Sequence, residues 1–210
     1  VIQHRNFNQD DGLGTNFIYK VFIDSKGRTW FGTDGKGISV LENGVLKNYQ
    51  IATHRHAGEN TEQSVHLKAV YSITEDRQGH IWLSSAKEGI FEFDGKAFQH
   101  LTVKEGIRDL EITSLITDAK GNILILHPTG IDILAPETHH LIYYDQEVGI
   151  EDIDPNLNAV CSDQYGNIWM GCKNDIIKYV ALNEDLEIHP RTRLNTCLLY
   201  TSPSPRDSFR

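Results

Sequence analysis

Hydrophobic positions along the chain fall into short runs, and the runs recur in groups separated by glycine-containing turns. In each group, two apolar residues stand six and three places before an Asp. A Gly stands three places after the same Asp, and an apolar or aromatic run follows that Gly. The apolar pairs are Ile18 and Val21, Val70 and Ile73, Ile112 and Leu115, and Leu157 and Val160. Because the runs are short and rich in β-branched residues, the pattern predicts strand hairpins rather than helices.

One ten-residue stretch underlies every group. It is clearest as Asp163-Gln-Tyr-Gly-Asn-Ile-Trp-Met-Gly-Cys172, and earlier copies begin at Asp24, Asp76 and, more weakly, Asp118. These four Asp residues are 52, 42 and 45 residues apart, and a period of roughly 40 to 50 residues is typical of propeller blades. The Asp can close an Asx-type turn, and the Gly tolerates the left-handed conformation of a tight hairpin. The predicted structural residues of the repeat are Asp24, Gly27, Trp30, Asp76, Gly79, Trp82, Asp118, Gly121, Asp163, Gly166 and Trp169.

Two further strands follow each hairpin. The third strands are predicted at 38–41, 90–93, 131–134 and 176–179. Asn43-Gly44 and Asp94-Gly95 then mark turns into fourth strands. Four antiparallel strands per repeat form one propeller blade, so the predicted fold is an all-β propeller fragment of about four blades in an open, incomplete ring. The Trp residues at one repeated position are expected to fill the gaps between blades.

The repeat also divides the chain into segments. Phe7 stands eleven residues before Ile18, as Leu101 does before Ile112, so the chain is expected to open on the outer strand of a truncated blade. The predicted segments are 1–10 (that outer strand), 11–50 (blade 1), 51–66 (an inserted loop), 67–104 (blade 2), 105–146 (blade 3), 147–190 (blade 4, with 181–189 as its last strand) and 191–210 (an irregular tail). Residues 197–207 resemble the translation of a sequencing adapter and are excluded from functional reasoning.

The inserted loop is the first place to look for a ligand, because insertions in repeat arrays often carry binding function. Its ligand-binding candidates are His54, Arg55 and His56, against the alternative of a solvated, neutral insertion. The spacing of His54, His56 and His66 matches no closed zinc pattern. No metal and no cofactor are therefore predicted.

Composition narrows the function classes. The formal net charge is −9 and no basic cluster occurs, which argues against nucleic acid and against an anionic membrane surface. No apolar run is long enough for a transmembrane helix. The sequence has no phosphate-binding Gly-Lys-Ser/Thr motif and no Gly-x-Ser-x-Gly elbow. We therefore predict no catalytic residue and no enzymatic activity for these residues.

Two cysteines lie in the fourth repeat. A turn near Tyr165 places Cys161 roughly opposite Met170, with Cys172 diagonal to it at about 7 Å or more. A disulfide would need distortion at that separation, so the sequence favours two buried thiols.

The repeat, read as apolar-x-x-apolar-x-x-Asp-x-x-Gly-x-Ile-Trp-x-Gly-Thr followed by Gly-Ile, resembles the two-component regulator propeller repeat. Residues 18–38 and 70–90 match best, 157–176 match closely, and the third copy departs at Leu124 and His127. The resemblance implies part of a periplasmic, ligand-sensing propeller of a hybrid sensor histidine kinase. The implied ligand is a small molecule or an oligosaccharide, with a glycan-derived oligosaccharide as the first expectation. It further implies that the remaining blades, a membrane span and the kinase belong to the full-length chain, and it is compatible with a homodimer.

Two other readings stay open. The blades also resemble those of streptogramin lyases, which carry a catalytic His on a central loop, and His127 is the nearest candidate for that role. A plain protein-binding propeller is the third reading, since fold similarity alone does not determine function.

Overall fold

The protein is described by a computed structural model that covers residues 5–49, 69–145, 150 and 153–181, together with the backbone of 52–53, 63–64 and 200–201. The strands are β1 (Ile18–Ile23), β2 (Thr29–Thr33), β3 (Ile38–Glu42), β4 (Val45–Tyr49), β5 (Ala52–Thr53), β6 (Gln63–Ser64), β7 (Val70–Glu75), β8 (Ile81–Ser85), β9 (Gly89–Phe93), β10 (Phe98–Leu101), β11 (Ser114–Thr117), β12 (Ile123–His127), β13 (Gly130–Ala135), β14 (His140–Tyr144), β15 (Pro155–Ser162), β16 (Ile168–Cys172), β17 (Ile176–Tyr179) and β18 (Tyr200–Thr201).

Four sheets of four antiparallel strands make up the fold. Their orders are β1-β2-β3-β4, β7-β8-β9-β10, β11-β12-β13-β14 and β15-β16-β17-β18, and β5 pairs with β6 in a separate two-stranded ladder. We call the four sheets blades 1 to 4. The all-β propeller architecture predicted from the repeat is confirmed.

The first strand of each blade lies nearest the common axis, where β1, β7, β11 and β15 contact one another in sequence order. Asn158 of β15 reaches across this centre. Its side-chain amide donates hydrogen bonds to the backbone carbonyls of Tyr71 at 2.6 Å and Tyr19 at 3.3 Å. One polar side chain therefore ties the inner strands of blades 1, 2 and 4 together.

The apolar core is divided into three layers, each sandwiched between two successive blades. Trp30, Ile38 and Val40 of blade 1 pack on residues of blade 2 that include Leu83 and Phe91. The opposite face of blade 2 packs on blade 3, and blade 3 packs on blade 4 in the same way. Because side chains alternate across each strand, both faces of blades 2 and 3 are buried in this arrangement.

The outward faces of the first and last blades are different, because no described blade covers them. Val21 and Ile23 of β1 are 56% and 66% exposed, and Trp169 of β16 is 37% exposed. Trp30 and Trp82, at the matching position of blades 1 and 2, are fully buried. The repeated Trp is therefore buried only where another blade follows. All three Trp residues were expected to fill gaps between blades, and Trp169 does not because no described blade covers it.

The structure changes the expected segments at both ends of the array. Residues 5–8 form no strand, and Gln9–Asp11 form a 3-10 turn instead of the outer strand predicted for 1–10. Asn8 and Asp11 stabilise this turn as a capping box. The side chain of each residue accepts a hydrogen bond from a backbone N–H group at the opposite end of the turn. Residues 1–4 lie outside the described part. No helix within it has the length and apolar character of a membrane span.

The fourth blade is completed by an unexpected segment. Tyr200–Thr201 pairs with β17, although this part of the tail was predicted to be irregular. Without this segment β17 would be the edge strand of its sheet, and a short extended segment can pair with the backbone of such an edge. The strand predicted at 181–189 lies outside the described residues beyond Ala181.

The cysteine prediction was wrong in register and in burial. Cys161 pairs with Trp169 rather than Met170, so it lies on the opposite face of the sheet from Cys172. Both thiols are free, with Cys172 buried and Cys161 exposed. Cys161 is exposed because its face of blade 4 is the uncovered one.

We expect the two thiols to differ in reactivity. Burial, together with the nearby Asp175 and Asp154, raises the pKa of Cys172 to about 11, and the thiolate is the reactive form. Brief iodoacetamide treatment of the native protein at pH 8, followed by peptide mass spectrometry, should modify Cys161 and spare Cys172. Labelling in urea, where both thiols are accessible, is the reference. Equal labelling of Cys161 and Cys172 in the native protein would contradict their assignment to opposite faces of the sheet.

Candidate functional site

The repeated Asp residues hold their own turns together. In each of the four copies, Oδ1 accepts hydrogen bonds from the backbone N–H groups two and four residues later, at 2.8–3.0 Å. The Trp indole donates to Oδ2 at 2.8 Å in blade 1 and 2.9 Å in blades 2 and 4. Each carboxylate accepts at least three local hydrogen bonds, so the geometry supports a structural role in the turn. Oδ2 of Asp76 accepts only one of these bonds, from Trp82.

The electrostatics of these turns follow from the same bonds. Burial acts to raise the pKa of Asp24, but hydrogen bonds from Trp30 and Arg28 outweigh it and lower the pKa. Hydrogen bonds from Asn167 and Trp169 hold the pKa of Asp163 far below its usual range. Both carboxylates are therefore anionic in the folded protein near neutral pH.

A cleft opens between blades 2 and 3, on the edge of the sheets where the Asp-x-x-Gly turns lie. It has a volume of about 250 Å³ and is lined by residues 76–78, 120–122 and 135–138. The lining includes the charged side chains of Arg77, Lys120 and Glu137 and the amide side chains of Gln78 and Asn122. Such a surface offers hydrogen-bond donors and acceptors at close spacing.

Two lining residues shape the cleft. Arg77 donates a hydrogen bond from its guanidinium to the carbonyl of Ala119 on the next blade. To do so it lies across Gly121, where an added Cβ would come within 2.7 Å of the Arg77 side chain. Gly121 also has a φ of +92°, so it serves both the turn and the close approach of Arg77.

A cluster of titratable side chains adjoins the cleft. Glu92 of β9 is buried, and its Oε1 lies 2.7 Å from Nδ1 of His80 while its Oε2 lies 3.3 Å from Nε2 of His139. Asp76, which also lines the cleft, places Oδ2 3.6 Å from the same nitrogen of His80. The ligand atoms of Asp76, His80 and Glu92 all lie within 4.8 Å of one another. Imidazole nitrogens and carboxylate oxygens are groups that could hold a metal ion.

The opposite edge of blade 3 carries a second charged network. Asp132 is fully buried and accepts hydrogen bonds from Nε of Arg108 at 2.8 Å and from its backbone N–H at 3.2 Å. Arg108 also bonds Asp145 at 2.5 Å. This network fastens the connection between blades 2 and 3 to the body of blade 3.

His127, the candidate for lyase-type chemistry, belongs to that network. It is fully buried, with Nδ1 2.8 Å from the Thr129 hydroxyl and Nε2 3.1 Å from Oδ1 of Asp132. The second contact has the distance of an ion pair but lacks hydrogen-bond alignment, since Nε2 has no hydrogen-bond partner. A fully buried imidazole cannot reach a substrate on the surface, so this geometry does not favour the lyase reading.

The predicted ligand residues and the observed cleft fall in different places. His54, Arg55 and His56 lie outside the described residues. Sequence reasoning missed the cleft and the cluster of Glu92, His80 and His139. One signal was present: Glu92 stands where blades 1 and 3 have the apolar Val40 and Ile133, as the pairing with the repeated Trp or Leu shows. An acidic residue at a position that faces the next blade indicates a special environment.

Comparison with known families and structures agrees with the repeat. The two component regulator propeller family matches residues 12–35 and 66–87, which confirms the resemblance for those two copies. No curated protein matches the chain by sequence.

Solved structures show the same fold. The extracellular domain assigned to one hybrid two component system of B. thetaiotaomicron aligns with a TM-score of 0.68 at 22% identity, over 97% of this chain and 28% of that one. A second such domain aligns with a TM-score of 0.65 at 24% identity, over 80% and 23% of the two chains. A virginiamycin B lyase from Staphylococcus aureus aligns less well, with a TM-score of 0.55 at 14% identity over 77% and 51%. The chain thus spans about a quarter of the length of the two sensor domains it matches.

Proposed function

We propose that this chain, whose residues 12–35 and 66–87 match two component regulator propeller repeats, is part of the extracytoplasmic ligand-sensing propeller of a hybrid two-component sensor. The repeat match is the observation that carries the proposal, and the fold shared with extracellular sensor domains supports it. In this role the chain would be a periplasmic binding module that catalyses no reaction itself and signals to a histidine kinase in the same full-length protein.

The uncovered faces of blades 1 and 4 support a larger propeller. Val21, Ile23 and Trp169 expose apolar surface of the kind that the inner blades bury against each other. Burying this surface is favourable in proportion to its apolar area. We infer that further blades of the full-length chain cover both faces.

The cleft between blades 2 and 3 is the proposed ligand site, and a glycan-derived oligosaccharide is the proposed ligand. Sugar hydroxyls both donate and accept hydrogen bonds, and the cleft offers partners for both: Lys120 donates, Glu137 accepts, and the Gln78 amide does both. The volume of about 250 Å³ is slightly below the roughly 300–1,000 Å³ of drug-sized ligand pockets. A short saccharide segment fits this scale.

Signalling follows from the position of the cleft. A ligand that contacts blade 2 through Gln78 and blade 3 through Lys120 and Glu137 binds best to one relative arrangement of the two blades. It can shift the population toward that arrangement only by this difference in affinity. The full-length chain would transmit the shift to the kinase.

Replacement of Lys120 by alanine is expected to weaken oligosaccharide binding about tenfold, because one charged hydrogen bond is lost. Binding would be found on a glycan array of neutral and anionic oligosaccharides and then measured by calorimetry. Lys26→Ala is the matched control, since Lys26 holds the same place in the turn of blade 1 and is likewise exposed. Absence of binding to every oligosaccharide, or equal affinity of Lys120→Ala and wild type, would refute the proposed site.

The signalling part has a separate test. Sequencing the source DNA beyond both ends of this reading frame should reveal more blades, a membrane span and kinase motifs. A gene that encodes about seven blades and nothing else would favour a free-standing propeller instead.

A further inference from the structure

Glu92 is a buried carboxylate between blades 2 and 3, where it needs groups that stabilise its charge. Glu92 pairs with Trp82 across β9 and β8 and so points toward blade 3, and it is buried. A carboxylate in this position loses hydration and needs compensating positive or hydrogen-bonding groups. Both of its oxygens meet imidazole nitrogens, those of His80 and His139.

The backbone of His80 helps to close its own turn, but its side chain makes no hydrogen bond to the turn Asp. In the other three blades the residue at this place, Arg28, Asn122 or Asn167, donates a side-chain hydrogen bond to the turn Asp at 2.6–3.1 Å. His80 instead stands 3.6 Å from Asp76 and directs Nδ1 to Glu92 at 2.7 Å. In blade 2, therefore, the side chain at this position bonds Glu92 on the face toward blade 3 instead of the Asp of its own turn.

His139 comes from blade 3 and is held in an unfavourable backbone conformation. It lies in the turn between β13 and β14 with a φ of +52°, a region that residues with a Cβ seldom adopt. This conformation brings its ring edge-on to Trp82, with ring centroids 6.3 Å apart, and its Nε2 to Glu92 at 3.3 Å. Strained residues of this kind are concentrated at functional sites.

The ligand atoms of Asp76, His80 and Glu92 lie within 4.8 Å of one another, which is close enough for one metal ion to contact all three. Bonds of about 2.0–2.2 Å in a tetrahedral site place ligand atoms about 3.3 Å apart. The separations between Asp76 and His80, 3.6 Å, and between Glu92 and His139, 3.3 Å, are close to this value. The His80 to Glu92 distance of 2.7 Å would have to widen by about 0.6 Å to reach the same geometry.

We propose that His80, Glu92 and His139, with Asp76, bind a divalent first-row transition-metal ion such as Zn²⁺ across the interface between blades 2 and 3. Two imidazoles with carboxylates favour Zn²⁺, Co²⁺ or Ni²⁺ over Ca²⁺ or Mg²⁺, which prefer oxygen ligands throughout. The indole of Trp82, which donates to Oδ2 of Asp76 at 2.9 Å, orients that carboxylate from outside the site. Since His139 comes from blade 3 and the other ligands from blade 2, the ion would fasten the two blades together.

Calorimetric titration of the chelator-treated protein with Zn²⁺ tests the site, and Co²⁺ gives a visible absorption band if the coordination is tetrahedral. Glu92→Gln and His139→Ala should each weaken Zn²⁺ binding by at least about tenfold and remove the Co²⁺ band. His140→Ala is the matched control, because His140 is the exposed neighbour of His139 and should leave both signals unchanged.

The inserted loop carries His54, His56 and His66, so the titration is repeated in a variant with all three changed to alanine. Binding that persists in this variant and is lost with Glu92→Gln supports the site. The proposal would be overturned if Glu92→Gln and His139→Ala bound Zn²⁺ as tightly as wild type while far-ultraviolet circular dichroism showed that both variants are folded. The cluster would then be a hydrogen-bonded group of side chains only. Because the probe is the metal ion alone, either result is independent of oligosaccharide binding.

Discussion

Replacement of Trp82 by alanine is expected to lower the free energy of unfolding by about 3–5 kcal/mol. Trp82 is fully buried in the apolar layer between blades 2 and 3, where it packs with residues that include Leu115 and Ile125. Its removal leaves a cavity and deprives the buried Asp76 of the indole hydrogen bond at 2.9 Å. Urea denaturation followed by far-ultraviolet circular dichroism measures the loss.

Trp169→Ala is the matched control for this prediction. Trp169 has the same place in its repeat and the same hydrogen bond, to Asp163 at 2.9 Å, but it is 37% exposed on the uncovered face of blade 4. Losing mainly the hydrogen bond and part of the packing should cost about 1 kcal/mol. Similar losses in the two variants would argue against a core built between successive blades.

Replacement of Asp132 by alanine should also destabilise the protein strongly, by about 3–5 kcal/mol. The carboxylate of Asp132 is buried and compensates Arg108, which donates to it twice, and lies 3.1 Å from the buried His127. Without Asp132 the partly buried Arg108 guanidinium keeps only Asp145 of its two carboxylate partners, and the fully buried His127 loses the carboxylate beside it. Thermal and urea denaturation at pH 7 would measure the effect.

The matched comparison is Glu42→Ala, which breaks an ion pair of similar length. The carboxylate of Glu42 lies 2.8 Å from Nζ of Lys47, but the Lys47 side chain is 52% exposed and the Glu42 side chain 36% exposed. Exposed pairs contribute about 0–1 kcal/mol, so a small loss is expected. If Asp132→Ala cost no more than Glu42→Ala, the buried network would not be what holds the interblade connection in place.

The architecture was predictable because it rests on local, repeated chemistry. Asp24 and Gly27 close a turn within four residues, and Trp30 donates to the same Asp. The register of each hairpin follows from that turn and from the alternation of apolar residues. Because four copies carry the same pattern, the fold can be predicted even though the third copy departs from the repeat at Leu124 and His127.

The candidate sites were not predictable in the same way. Glu92 and His139 are 47 residues apart, and their contact depends on how blade 3 is placed against blade 2. The cleft likewise combines Gln78 with Lys120 and Glu137 from three separate turns. The spacing of residues within one repeat carries no information on which side chains of two repeats meet.

By itself, the sequence determined that this chain forms successive four-stranded blades, because the turn bonds and the alternation that specify a blade act within one repeat. Only the tertiary structure decided which copies of an equivalent residue are buried, as Trp82 and Trp169 show. It also decided that Cys161 faces solvent and that Glu92 meets two histidines. The physical reason is that burial, the desolvation of charge and the pairing of distant polar groups are properties of the contact between blades.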